Sequence, residues 1–226
     1  MNREQLAQQA GRQLEDAHPR EVLRWAVDEF GDRFCVTSSM TDGVLAHLAA
    51  SVRSGIDVVF LDTGYHFFPT LETRDRIVAA LDVNVLNVRP EQTVAEQDRT
   101  YGPRLHASDP DLCCALRKVQ PLNNVLSRYD AWASGLRRDE SPSRRDIGVV
   151  EWDAARGKVK VNPLARWTKA DVDAYIAEND VIINPLVAQG FPSIGCAPCT
   201  KWVAPGEDER SGRWAGTEKT ECGIHR

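Results

Sequence analysis

Phe34-Cys35-Val36-Thr37-Ser38-Ser39-Met40-Thr41-Asp42-Gly43 runs without a break into Val44-Leu45-Ala46-His47-Leu48-Ala49. The first four residues read as a short buried strand, with Cys35 a small core residue. Val44, Leu45, Leu48 and Ala49 fall on one helix face. Between them lies a turn of small hydroxyl residues. Unpaired backbone amides and the helix dipole both point at such a turn, which makes it a natural seat for an anion. An ordinary helix N-cap gives the same pattern, so the turn alone assigns no ligand.

Outward from this unit the alternation repeats. Upstream, residues 2–30 read as helical, with Val22, Leu23, Ala26, Val27 and Phe30 on one face and Pro19 breaking the segment at its start. Downstream, residues 58–61 form a second apolar strand ending in Asp62-Thr63-Gly64-Tyr65-His66. In an open parallel sheet ligands bind at this carboxyl end. A helix over 71–81 and a third strand over 83–88 follow. The pattern predicts an α/β protein with a doubly wound, mostly parallel sheet and right-handed crossovers.

The 226 residues suit one such domain, expected over 1–205, with a mobile C-terminal segment over 206–226. A net charge of −5 argues against a general nucleic-acid or membrane role, so any anion must be held by locally clustered arginines. The charged start Met1-Asn2-Arg3-Glu4-Gln5 precedes no apolar run long enough for a signal peptide or a membrane span. The expected location is the cytoplasm, where thiols stay reduced and serve as ligands and nucleophiles.

From Glu91 to His106 the chain turns polar. Asp109 and Pro110 then cap a helix that carries Cys113 and Cys114 in its opening turns, with Arg117 and Lys118 one turn later and Pro121 kinking or restarting it. A fourth strand over 129–136 delivers Arg137, Arg138, Arg144 and Arg145. Guanidinium groups suit phosphate or sulfate, although a solvated loop is the plainer alternative. A hairpin over 147–152 and 158–161 precedes a helix opened by Thr168 and ending at Glu178.

Cys196-Ala197-Pro198-Cys199 alone could chelate a metal, form a redox pair or simply pack. The tandem Cys113-Cys114 decides, because four thiols match a structural zinc or a cubane iron-sulfur cluster. Adjacent helical side chains diverge by about 100°. Both reach one centre only if it is large, which favours the cluster. Past Trp214 nothing is expected to form a core, and Cys222 sits in this tail as either a catalytic thiol or an incidental one.

Together these residues resemble the assimilatory adenylyl-sulfate (APS) reductases of the thioredoxin-dependent, iron-sulfur type, within the wider family that reduces 3′-phosphoadenylyl sulfate (PAPS). The resemblance spans Phe34 to His225. It is carried by Leu61-Asp62-Thr63-Gly64, Cys113-Cys114-x-x-Arg117-Lys118, Gly135-x-Arg137-Arg138-x-x-Ser141-x-x-Arg144, Gly195-Cys196-x-x-Cys199 and Lys219-Thr220-Glu221-Cys222-Gly223-Ile224-His225. It implies an adenine-nucleotide α-hydrolase-like fold, with Ser38 to Gly43 as a modified pyrophosphate loop in which the bulk of Met40 speaks against ATP pyrophosphatase chemistry. It implies a [4Fe-4S] cluster on Cys113, Cys114, Cys196 and Cys199, and Cys222 as the nucleophile that takes the sulfur of APS as S-sulfocysteine, with thioredoxin releasing sulfite for cysteine biosynthesis. Lys118, Arg144, Arg210 and Arg213 would hold the phosphosulfate, and Ser38, Ser39, Thr63 and Gly64 the nucleotide side. The Arg144-Arg145 doublet leaves open which arginine faces substrate, and a homo-oligomer is left open too. The competing readings are a PAPS reductase, whose members usually lack the four cluster cysteines, and a zinc-stabilised nucleotide-binding module without turnover.

Overall fold

The computed structural model describes residues 2–225; Met1 and Arg226, which the segment boundaries above include, lie outside the described residues. Helices α1 (Arg3–Gln13) and α2 (Pro19–Phe30) open the chain, and Pro19 starts the second helix, where its missing N–H costs nothing. Strand β1 (Phe34–Thr37), α3 (Val44–Val52), β2 (Ile56–Leu61), α4 (Phe68–Ala80) and β3 (Val83–Val88) then alternate as the sequence predicts. Four helices fill the long connection that follows: α5 (Val94–Tyr101), α6 (Leu105–Ser108), α7 (Pro110–Cys114) and α8 (Gln120–Leu126). Strand β4 (Ala131–Ala133), the hairpin β5 (Val150–Asp153) and β6 (Lys158–Val161), and α9 (Lys169–Asn179) complete the domain.

The strands form one sheet in the order β3-β2-β1-β4-β6-β5. Neighbours pair in parallel except the edge strand β5, which runs antiparallel to β6. From β1 the chain winds outward to β2 and β3, whereas β4 begins the other half. The carboxyl ends of β1 and β4 therefore border the crevice where open α/β sheets bind ligands.

Burial alternates with the pleat. Phe34, Val36, Val58, Phe60, Ala131 and Ala133 join the large core that includes residues of α1, α2, α3 and α9, while Cys35, Val59 and Trp132 face Leu122, Val125 and Leu126 of α8. The register sets Cys35 beside Trp132 and Val36 beside Val58. With both faces covered, these strands read as continuous apolar runs.

In the polar stretch from Glu91, where the sequence places no element, Thr93 and Glu96 form a reciprocal capping box, with Glu96 N–H donating to Thr93 Oγ1 at 3.2 Å and Thr93 N–H to Glu96 Oε2 at 2.8 Å, and α5 follows. Two expectations are corrected. The fourth strand is shorter than 129–136, because Tyr129 N–H is still turned back to Leu126 O at 3.0 Å at the end of α8 and the chain leaves the sheet after Ser134. The tail does reach a core, since Ile224 packs against the cluster around Trp132. Among the described residues no helix is long and apolar enough to cross a membrane.

Candidate active site

The turn after β1 folds inward. Met40 adopts φ 60° and is fully buried, its N–H donating to Ser38 Oγ at 3.2 Å. Buried Asn184 straps the turn from outside: its Nδ2 donates to Met40 O at 3.1 Å and to Thr70 Oγ1 at 3.0 Å. Gly43 N–H is taken by Ile182 O at 2.8 Å and Val44 N–H by Asp42 Oδ1 at 3.0 Å. Several amides that an open phosphate cradle would present are thus used internally. The side chains around the turn are then the candidate anion partners.

Those side chains line one cleft of about 300 Å³ at the carboxyl end of the sheet. It brings together Ser38, Ser39, Thr63, Lys118, Arg144, Arg210, Arg213 and Cys222 from segments far apart in the chain. Gly64 stands apart from them. Its φ of 74° uses the freedom of glycine, and a Cβ there would come within 3.1 Å of Arg117 and 3.2 Å of Val94, so it shapes the strand tip outside the cleft. The arginine doublet is resolved, because Arg144 is buried on the cleft and Arg145 is exposed. Arg137 and Glu221 also line the cleft. The sequence offers Arg137 only as one of four arginines near a strand tip, and Glu221 only as a neighbour of Cys222 in a quoted motif.

Arg144 Nε and Nη2 donate to the two oxygens of Glu221 at 3.0 and 3.1 Å, and its Nη1 pairs with Glu140. Burial opposes the Arg144 charge, yet these carboxylates raise its pKa. Arg210 is lowered, first by burial and then by Arg144 beside it. The Arg213 guanidinium lies over Trp214 at 4.6 Å from the ring centre, and its Nε is buried without a partner. Burial, then the cationic neighbours Lys160 and Arg144, hold His225 well below the usual imidazole range. A neutral ring stacked on Trp132 at 5.9 Å supplies no positive charge to Cys222. His66 lines the cleft but is engaged with Leu61 O at 2.8 Å.

A second, smaller cavity adjoins the first. Cys113, Cys114, Cys196 and Cys199 all line it, with Tyr65, Arg117, Lys118 and Trp214. None of the four is in a disulfide. The helix between the cysteine pair and α8 widens to a π-turn over Ala115–Val119, and this stretch carries Lys118 into both cavities. Burial pushes the Cys113 thiol up to about 12, with Cys114, Cys196 and Cys199 adding to it, and burial likewise takes Cys114 to about 11. Burial and neighbouring sulfurs make both of these thiolates costly to form, a cost that a cationic centre would offset. Among the described residues no group of three or more His, Cys, Asp or Glu side chains is placed to hold a metal ion. Thr63 Oγ1 lies 3.2 Å from Cys196 Sγ, and Arg117 donates to Thr63 O and, at 3.0 Å, to Gln97 Oε1. Burial works against the Lys118 ammonium, but Cys196 and Cys222 raise its pKa and keep it charged between the thiols and the cleft.

Residues 33–202 match the family model described as the phosphoadenosine phosphosulfate reductase domain. The chain is 61% identical to an adenosine 5′-phosphosulfate reductase of Streptomyces coelicolor, over 97% of this chain and 93% of that one. It is 54% identical to an enzyme of the same name from Mycolicibacterium smegmatis, over 98% and 94%. Among solved structures it is similar to the phosphoadenylyl-sulfate reductase of Candida auris in complex with phosphate, with a TM-score of 0.73 and 28% identity over 87% of this chain and 96% of that one.

Proposed function

The chain belongs to the phosphoadenosine phosphosulfate reductase family, and from that premise we propose that it is a thioredoxin-dependent, iron-sulfur adenylyl-sulfate reductase. It reduces APS to sulfite and AMP in assimilatory sulfate reduction, as the names of its close relatives support. One observation carries the finer reading: Lys118 lines both a cavity ringed by four thiols and the cleft that holds Cys222 among arginines.

In this reading the Cys222 thiolate attacks the sulfur of APS. The new S–S bond forms as the S–O bond to the phosphate breaks, and AMP leaves with the electron pair, so S-sulfocysteine remains on the enzyme. Arg144, Arg210, Arg213 and Lys118 hold the phosphosulfate and offset the charge that builds on the departing oxygen. A dithiol of the thioredoxin class then attacks the Cys222 sulfur. Sulfite leaves, the second thiol of the dithiol resolves the mixed disulfide, and Cys222 returns to a thiol. The dithiol supplies both electrons.

Cys113, Cys114, Cys196 and Cys199 would hold a [4Fe-4S] cluster, which when bound would tune the field at Lys118 and leave the electrons to the thiols. We place the reaction in the cytoplasm, where such thiols stay reduced.

Turnover assays with thioredoxin and each nucleotide test the assignment. Sulfite release from APS with little from PAPS is expected. Preferential turnover of PAPS would transfer the chain to the other branch of the family.

A further inference from the structure

Cys222 is pinned from both sides. After it, Ile224 packs against the apolar cluster of Leu122 and Val125, and the His225 ring lies parallel to Trp132, with 9° between the planes. Before it, the Glu221 carboxylate receives paired N–H groups from Arg144 at 3.0 and 3.1 Å, and one of its oxygens lies 3.1 Å from Arg210 Nη2. Arg210 Nη2 also donates to Thr220 O at 3.1 Å. The Glu221 side chain is only 14% exposed, and its partners Arg144 and Arg210 are 11% and 14% exposed.

A forked pair of N–H donors on a planar carboxylate is the geometry a guanidinium also offers to phosphate or sulfate. Both arginines line the cleft in which Cys222 stands. The same donors cannot serve two anions at once.

Resting on the reading of this cleft as the substrate site, we propose that Glu221 is a built-in stand-in for the substrate's oxyanion: it occupies Arg144 and Arg210 in the ligand-free enzyme, and the phosphosulfate must displace it to bind. The residue beside the nucleophile therefore senses whether the anion subsite is filled. When the substrate takes the arginines, the tail loses its polar anchor and keeps the apolar one at Ile224 and His225. Cys222 is then held to the cleft by one side, free to reorient toward the sulfur. The affinity for APS is weakened by the fraction of chains in which Glu221 holds the arginines.

The test uses cluster-loaded protein carrying Cys222→Ser, which binds APS without consuming it, with and without Glu221→Gln. Equilibrium dialysis measures APS, and uncharged adenosine as a second ligand. If about nine chains in ten have Glu221 on the arginines, its removal tightens APS by about tenfold. Adenosine, which has no anionic group, is expected to bind both proteins equally, and Glu221→Asp is expected to restore the weaker APS binding. APS binding that is unchanged or weaker in Glu221→Gln overturns the proposal. So does an equal gain for adenosine, which would mean that the tail had merely loosened and opened the cleft. If the Cys222→Ser protein binds neither APS nor adenosine, the substrate reading itself fails, and this proposal with it.

Discussion

Replacing Gly195 with alanine is expected to disable the enzyme through a residue 18 positions away in sequence. Gly195 does not need glycine for its φ; it needs the space. A Cβ there would overlap the Arg213 guanidinium, lying 2.6 Å from Cζ and 3.1 Å from Nη1, where ordinary contacts are 3.4–4 Å. The guanidinium must retreat by roughly 1 Å, and a displacement of that size at a reacting site costs about 100-fold. Few polar bonds resist the movement: Nη1 reaches Ser193 Oγ at 3.4 Å and Nε has no partner, so packing over Trp214 is the main restraint. We therefore expect kcat/KM for APS to fall about 100-fold, or ~2.7 kcal/mol, with iron content unchanged. Arg213→Ala should cost a similar factor. The double variant should lose little more than either, because both act through one guanidinium. A double-variant loss near 10,000-fold, the product of independent effects, would refute the reasoning.

Arg144→Ala should lower kcat/KM by about 100-fold or more, whereas Arg145→Ala, at an exposed position, should stay within about 0.5 kcal/mol of wild type in both stability and activity; equal effects would contradict the assignment of the doublet. Asp130 is held below the usual carboxylate range by Arg33 and then Arg3. A depressed pKa contributes stability at neutral pH that is lost as the pH falls through the folded value, so unfolding of wild type should ease below about pH 4. Asp130→Asn, about 1 kcal/mol less stable at pH 7, should show a flatter dependence there, and an unchanged slope would count against it. Iron and sulfide analysis of anaerobically prepared protein should give about four of each per chain, with the spectrum of the cluster unaltered during turnover. Stoichiometric zinc would favour a non-catalytic module, and a change in cluster oxidation state would remove the field-tuning role.

The sheet was legible because its strands are short apolar runs with polar tips, and Pro19, Asp109-Pro110 and Thr168 mark helix starts as capping chemistry requires. Helix α5 escaped because its composition is polar, although Thr93-x-x-Glu96 carried the signal. That Cys113 and Cys114 meet Cys196 and Cys199 was readable from the number and spacing of the cysteines. Other features depend on neighbours distant in the chain. Asn184 strapping the Met40 turn, Gly195 making room for Arg213, and Ile224 filling a place against Leu122 follow no local period, so no pattern in the sequence announces them. Glu221 was visible only as a letter beside Cys222; its role emerges from Arg144 and Arg210 meeting it in space.

The most direct test of the account is covalent transfer. Sulfur-labelled APS is added to cluster-intact protein without any thiol reductant, and the label is located by peptide mapping, with Cys222→Ser as control. We predict one label per chain on Cys222, absent from the variant and released as sulfite by reduced thioredoxin. A wild-type protein that stays unlabelled with its cluster intact, or a label that persists in Cys222→Ser, would contradict the central claim.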